Sequence, residues 1–290
     1  MITLHVPTIN DRLRDFEKLF GLWSQVNGDK LNVTIDFSGC EFLRQNAVAF
    51  LGGLVQLIEC RGGRVGFNWY SLAPNVRKNL DQNGFIGRFL SGAPPRRGNA
   101  IPYREDLIQD KDGLVDYLKD QWLGRGWVHV STALRDEIVG RLWEIYANAF
   151  EHGQSPIGIV SCGQHFPRWR ELNLTVVDFG VGIPSNVRVF KKNDGIPSRN
   201  AMKWAFQRGT STKPNGVGRG VGLDLLKEFV KVTRGRLEVF SHDGYALVDK
   251  SQETFDELPT FFEGTLVNIV LKCDEKFYRL ATEKVDEPLF

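Results

Sequence analysis

Cysteine is sparse in this chain of 290 residues: Cys40, Cys60, Cys162 and Cys273 stand far apart and form no CxxC pair. Neither a zinc site nor a disulfide framework is suggested, and a reduced, cytoplasmic setting is expected. An excess of one charge is also missing, with 37 basic against 35 acidic side chains and a net charge of +2. So balanced a surface gives no basis for coating nucleic acid or for anchoring to anionic lipid, and neither partner is expected. No long hydrophobic run occurs. The longest, Ala47 to Ile58, is interrupted by Gly52, Gly53 and Gln56 and falls well short of the ~20 residues that cross a bilayer. The opening MITLHVPTINDRL has an early acidic residue and no apolar core, so no ordinary signal peptide is expected. The pattern GxxxxGK(S/T) is absent, which excludes a P-loop.

What remains is ordinary folded-protein material, 42% apolar and 25% charged. The length exceeds the ~100–150 residues of a typical domain, so two domains are expected. The first reads as alternating strands and helices. LNVTI, from Leu31 to Ile35, alternates as a strand should, and Ala47 to Cys60 is a continuous helical run closed by Arg61, Gly62 and Gly63. Arg64 to Phe67 reads as a second strand, and Asn75 to Leu80 as a second helix after Pro74. From Ser91 the text turns to SGAPPRRGNAIP, which disfavours helix and strand and reads as a linker. The first domain is expected to end near residue 95.

DFSGCEF from Asp36 to Phe42, the helix that follows, GGRV from Gly62 to Val65, Leu72 to Leu80, and Gly84-Phe85 together resemble a STAS domain, the small α/β module of anti-sigma-factor antagonists. In that family the turn after the Asp-containing strand presents a serine to a partner kinase. Here the turn reads LRQN, Leu43 to Asn46, with Asn46 at the matching position. An amide has no hydroxyl to phosphorylate. The resemblance therefore implies a contact surface, with a plain docking role and a regulatory role both open. Ser38 lies nearby in the Asp36–Gly39 turn, where it is expected to serve the backbone.

The second half carries a constellation. After Ser131-Thr132, a plausible N-cap, Leu134, Ile138, Leu142, Ile145 and Ala149 repeat at helical spacing as a buried stripe. Arg141, Glu144 and Asn148 share an adjoining stripe, with Glu144 and Asn148 one turn apart. Alone, such a pair is the ordinary signature of a solvated helix face. LNLTVV, Leu172 to Val177, reads as a strand that runs directly into DFGVGI, Asp178 to Ile183. A carboxylate at a strand end beside two glycines suits a flat ligand that the backbone must approach closely, and it can accept the exocyclic amine of adenine. RGTSTK, Arg208 to Lys213, then leads to GVGRGVGL, Gly216 to Leu223, and a helical run from Asp224 to Val230. Glycines opening a helix let backbone N–H groups converge on phosphate. The residues from Pro184 to Gly218 are expected to form a mobile lid, with Lys213 and Arg219 near the terminal phosphate. Gly235 to Phe240 and Gly264 to Leu271 read as strands completing an antiparallel sheet, with Thr265 placed to reach back toward Asp178.

In order and spacing, ExxxN, DxGxG, GxGxG and GT resemble the GHKL superfamily of gyrases, mismatch-repair clamps, heat-shock chaperones and histidine kinases, over about Ser131 to Lys272. The resemblance implies a Bergerat-type ATP pocket. Glu144 matches the general base, Asn148 the magnesium ligand and Asp178 the adenine carboxylate. Gly180 and Gly182, with Ile183 following, match the segment beside the adenine. Gly218, Gly220 and Gly222, interleaved with Arg219, Val221 and Leu223, match the phosphate loop, and Thr265 the threonine that completes the adenine site. NAFEHG, Asn148 to Gly153, is similar to anti-sigma kinases, and Arg208 to Lys213 with Arg219 to Leu223 to the lid of certain sensor kinases. A phosphoacceptor histidine in a two-helix domain is not found. His129 sits in a short extended segment, and His5, His152, His165 and His242 lack a supporting pattern.

The expected fold is α/β (α+β), a STAS-like domain over residues 1–95, a linker and lead-in helix over 96–125, a two-layer ATP-binding sandwich over 126–275, and a tail over 276–290. The expected cofactors are ATP and Mg²⁺. The expected activity is that of a magnesium-dependent ATPase or a serine/threonine-type protein kinase, not an autophosphorylating histidine kinase, with an ATP-gated switch as the alternative. The expected partner is a protein bound through the STAS-like domain, with a homodimer as a further assembly.

Overall fold

The computed structural model describes residues 1–96, 98–207, 210 and 222–283, with backbone alone for 222–225. The chain opens with β1 (Ile2–His5), α1 (Leu13–Gln25), β2 (Asn32–Asp36), α2 (Gln45–Cys60), β3 (Arg64–Asn68) and α3 (Pro74–Gln82). The three strands form a parallel sheet with β2 in the centre. α1 was not expected. Its apolar positions Phe16, Leu19, Phe20 and Trp23 recur at three- and four-residue spacing and are all buried. α2 extends the expected helix by two residues, and every residue from Gln45 to Ile58 is buried. A helix apolar on all sides belongs in a core with neighbours on both faces, and α2 has them.

The chain continues through β4 (Ala100–Asp106), α4 (Lys111–Asp116), β5 (His129–Val130), α5 (Thr132–His152), β6 (Ile159–Phe166) and β7 (Glu171–Asp178). There follow α6 (Gly182–Lys191), α7 (Ser198–Ala205), α8 (Gly222–Val232), β8 (Arg236–Ser241), β9 (Gly244–Asp249), β10 (Glu253–Glu257), β11 (Thr265–Lys272) and β12 (Phe277–Tyr278). The large sheet has the order β10-β9-β8-β11-β7-β6-β4 and is antiparallel throughout. The mixed α/β class expected from the sequence is therefore found. No helix among the described residues is long and apolar enough to cross a membrane.

Strand alternation decides which residues meet which layer. On β7, Leu172, Leu174 and Val176 join a core with Ile138 and Leu142 of α5 and Leu226 of α8. Thr175 faces the other way, toward Gln45 of α2, and Val177 joins the core that contains α1 and α2. The expected sandwich of one sheet and one helical layer is thus extended: α2 covers the sheet's other face, with the three-stranded sheet beyond it.

Several segments differ from their expected form. Within the expected linker, β4 forms the edge of the large sheet, with Ile101 fully buried opposite Gly163. Pro102 lies where the register shifts between Ile101 and Arg104, and an edge bulge is where a strand tolerates a residue without an N–H. Within the expected tail, Phe277–Tyr278 pairs with His129–Val130. Within the expected lid, α6 and α7 are formed, and Ala201 and Met202 of α7 are fully buried. On α5 the buried stripe is Leu134, Ile138, Val139, Leu142 and Tyr146, with Ile145 and Ala149 only half-buried. Tyr146 takes the inner place because its hydroxyl finds Ser161 Oγ at 2.7 Å.

Candidate functional site

Asp178 ends β7, paired with Ile159 of β6 on one side and Thr265 of β11 on the other. By alternation its side chain lies on the face of α5 and α8. The carboxyl is buried, and the backbone N–H of Gly180 donates to its Oδ1 at 2.9 Å. The N–H of Thr265 donates as well. Among the described residues no cation pairs with it. Burial pushes its pKa up to about 7, and the two N–H donors pull the other way.

The residues after Asp178 are held tightly. A side chain on Gly180 would run into the carbonyl oxygen of Gly153, the residue that caps α5. That same oxygen accepts from Val181 N at 2.7 Å. Gly182 has φ of 73°, and a Cβ there would stand 2.8 Å from both His242 Cδ2 and Ser241 Oγ. Both positions therefore require glycine, one for close approach and one for its left-handed backbone.

Ser241 and His242 fasten this loop. Ile183 N donates to Ser241 Oγ at 2.8 Å, and that hydroxyl donates to Gly264 O at 2.7 Å. It also lies 3.2 Å from Thr265 Oγ1. Because Val181 O can only accept, His242 Nε2, at 2.9 Å, carries the proton. Burial lowers the pKa of His242, which keeps the ring neutral. Sequence reasoning did not single out Ser241 and gave His242 no role. The signal that finds them is pairing: Ser241 stands opposite Thr265 across β8 and β11.

Asp178, Gly180, Gly182, Ile183 and Thr265, expected at one site, are brought together by the ends of α5, β7, β8 and β11. Glu144 and Asn148 stand on α5, whose C-terminal end touches this cluster. Glu144 is half-exposed and accepts from Arg141 Nη1 at 3.0 Å, while Arg141 Nη2 reaches Glu137. Asn148 is exposed, one turn before His152, whose carbonyl accepts from Asn186 Nδ2 at 3.1 Å. Lys213, Gly218, Arg219, Gly220 and Val221 lie outside the described residues. Gly222 and Leu223 open α8, described in backbone only.

A buried carboxyl at a strand end, framed by two obligatory glycines and paired with a threonine, is the arrangement that the comparison with known families bears on. Residues 135–273 match the family described as histidine kinase-, DNA gyrase B-, and HSP90-like ATPase. The match begins inside α5 and ends just past β11. It supports an ATP-binding domain of the histidine-kinase-like superfamily in this part of the chain. Every candidate residue from Glu144 to Thr265 falls within this match, and residues 1–134 fall outside it. No curated protein matches the chain.

Proposed function

We propose that this chain is an ATP-binding regulatory protein whose ATPase domain hydrolyses ATP or transfers its γ-phosphate to a partner protein. The observation that carries this reading is Asp178. A buried carboxyl with two backbone donors and, among the described residues, no cation is only partly compensated when ionised. An adenine amine supplies a further donor. Asn148, exposed beside the same helix end, is the residue that would hold magnesium, whose charge would neutralise the triphosphate. Glu144 would orient a water or an acceptor hydroxyl as general base. Its partner Arg141 holds it in a largely solvated ion pair, a weak restraint that leaves it free to act.

The N-terminal residues are read as a STAS-like module on their three parallel strands and on the DFSGCEF turn. Asn46 offers no hydroxyl, and it is wholly buried, donating to Asn10 O at 2.8 Å and to Asp11 Oδ1 at 3.1 Å. The turn expected to face a partner thus faces its own chain. A second reading, an ATP-gated switch in which nucleotide changes a protein interface, is favoured by the packing of α2 directly behind the Asp178 segment. Incubation with radiolabelled ATP and magnesium, with and without candidate partners, tests both. Label on a protein supports transfer, free phosphate alone supports the switch, and absence of ATP binding removes the reading altogether.

A further inference from the structure

α2 carries two adjacent glycines at its centre, Gly52 and Gly53, although glycine weakens a helix relative to alanine. Each glycine is occupied from outside. A Cβ on Gly52 would overlap the hydroxyl end of Tyr103 on β4, and a Cβ on Gly53 would overlap the ring of Phe179. The two contacts differ in what lies behind them. Tyr103 belongs to the edge strand, where its hydroxyl donates to Glu105 at 2.8 Å. Phe179 sits between Asp178 and Gly180.

Alternation sends Asp178 toward α5 and Phe179 toward α2, so this one peptide segment is gripped from both sides of the sheet. The Phe179 ring has little room to yield. It is 4% exposed, and its centroid lies 5.2 Å from that of Phe50 and 5.3 Å from that of Phe262. Phe50 and Phe262 are themselves in contact at 5.3 Å, and Phe20 stacks on Phe262 at 5.1 Å. At its C-terminal end α2 also touches the loop that carries Gly153, through Cys60 Sγ at 3.9 Å from Pro156 O. Ser155 of that loop accepts from Phe179 N at 3.4 Å.

We propose that α2 positions the Asp178–Gly180 segment for nucleotide through the contact of Gly53 with Phe179, which makes these two residues positioning residues of the adenine site. The proposal rests on the reading of Asp178 as the adenine carboxylate. Because coupling between two processes is reciprocal, nucleotide binding also tightens the docking of α2 on the sheet.

The test uses the full chain and reads ATP affinity by calorimetry beside thermal stability. Gly53→Ala is expected to weaken binding about tenfold or more, the scale of a disturbed hydrogen bond to a charged group. Gly52→Ala crowds the same helix one residue away and is expected to lower stability while leaving affinity within about twofold, since the residue it meets does not lead to Asp178. Phe179→Leu removes Cε2, the ring atom a Gly53 Cβ would meet most closely, so Gly53→Ala placed in that background is expected to lose little further affinity. Should Gly53→Ala fail to fold, hydrogen exchange in the unsubstituted chain serves: ATP should slow exchange across residues 48–58. Equal losses of affinity from Gly52→Ala and Gly53→Ala, unchanged affinity in Gly53→Ala, no relief by Phe179→Leu, or unchanged exchange in α2 would each overturn the proposal. Failure of the unsubstituted chain to bind ATP would instead overturn the adenine reading on which it rests.

Discussion

At the scale of single residues, the proposed reading rests on Asp178 as the adenine carboxylate. A carboxylate accepts from the adenine amine and repels the guanine carbonyl, so Asp178→Asn should weaken ATP binding by about 1.5–3 kcal/mol. Calorimetry with ATP and GTP checks this, and equal affinity for both would remove the assignment. The raised pKa adds a pH signature. With a folded value of about 7, well above the ordinary value near 4, the folded chain holds a proton that the unfolded chain has lost between these limits. The contribution of this group to stability is therefore fully present below about pH 4 and declines toward pH 7, by about 1.4 kcal/mol per unit. Denaturant unfolding across that range should show the slope in the parent chain and its loss in Asp178→Asn. Binding runs the opposite way: ATP affinity should fall as pH drops below about 7, more steeply in the parent than in the Asn variant, which separates Asp178 from the titration of the phosphates. Glu144 makes a different prediction. Glu144→Ala should still bind ATP and lose roughly 10²–10⁴-fold in turnover, and unchanged turnover would place the base elsewhere.

At the scale of elements, the N-terminal end of α2 carries a polar cluster that contrasts with the apolar contact at Gly53. The buried guanidinium of Arg44 binds Asp11 at 2.8 Å and Glu171 of β7 at 3.0 Å, and stacks 4.2 Å from the Phe166 ring and 4.4 Å from that of Trp169. Arg236 of β8 reaches Asp11 as well, and Gln45 reaches Asn268 of β11 at 3.3 Å. Arg44→Ala leaves Asp11 with Arg236 and Glu171 with Lys272 but removes two buried charge-assisted bonds, so it should destabilise the chain by about 1.5–3 kcal/mol in denaturant unfolding. Lysine should not rescue it, since one ammonium cannot bridge two carboxylates and stack on two rings. Elements of this kind mark the limit of what the sequence discloses. α2, β7 and β11 are legible because their periodicity and flanking glycines are local signals, and Asp178 and Thr265 are legible because their motifs are contiguous. β4 is hidden by its proline, which a central strand would reject and an edge bulge accepts. The roles of Ser241, His242 and Phe179 are hidden for another reason: they depend on which strands pair and which layer lies behind them, and no single segment records that.

At the scale of the molecule, the decisive fact is that one core crosses the boundary expected near residue 95. Leu19, Phe20, Phe50 and Leu54 pack in the same cluster as Val160, Val177, Phe179, Phe240, Phe262 and Leu266. Separately folding domains usually meet across a modest and rather polar interface; here the apolar half of the sheet's α2 face is covered, among the described residues, by α1 and α2. Without residues 1–95, that face would present a contiguous hydrophobic patch beside Glu171, Asn173, Thr175, Glu238 and Asn268, polar groups that are all buried in the intact chain. Large exposed apolar patches drive association, and the polar stripe would lose Asp11, Arg44 and Gln45. The full chain should therefore unfold in a single cooperative transition, with the same midpoint by far-UV signal and by tryptophan fluorescence. A fragment of residues 96–290 expressed alone should aggregate, and co-expression of residues 1–95 should return it to solution as a complex. The same packing predicts that ATP and magnesium leave residues 1–95 without phosphate by intact mass, because Asn46 is an amide and is sealed inside the chain. A soluble 96–290 fragment with the ATP affinity of the full chain, or two separated unfolding transitions, would show that the N-terminal part is an independent domain resting on the sheet and not half of its core.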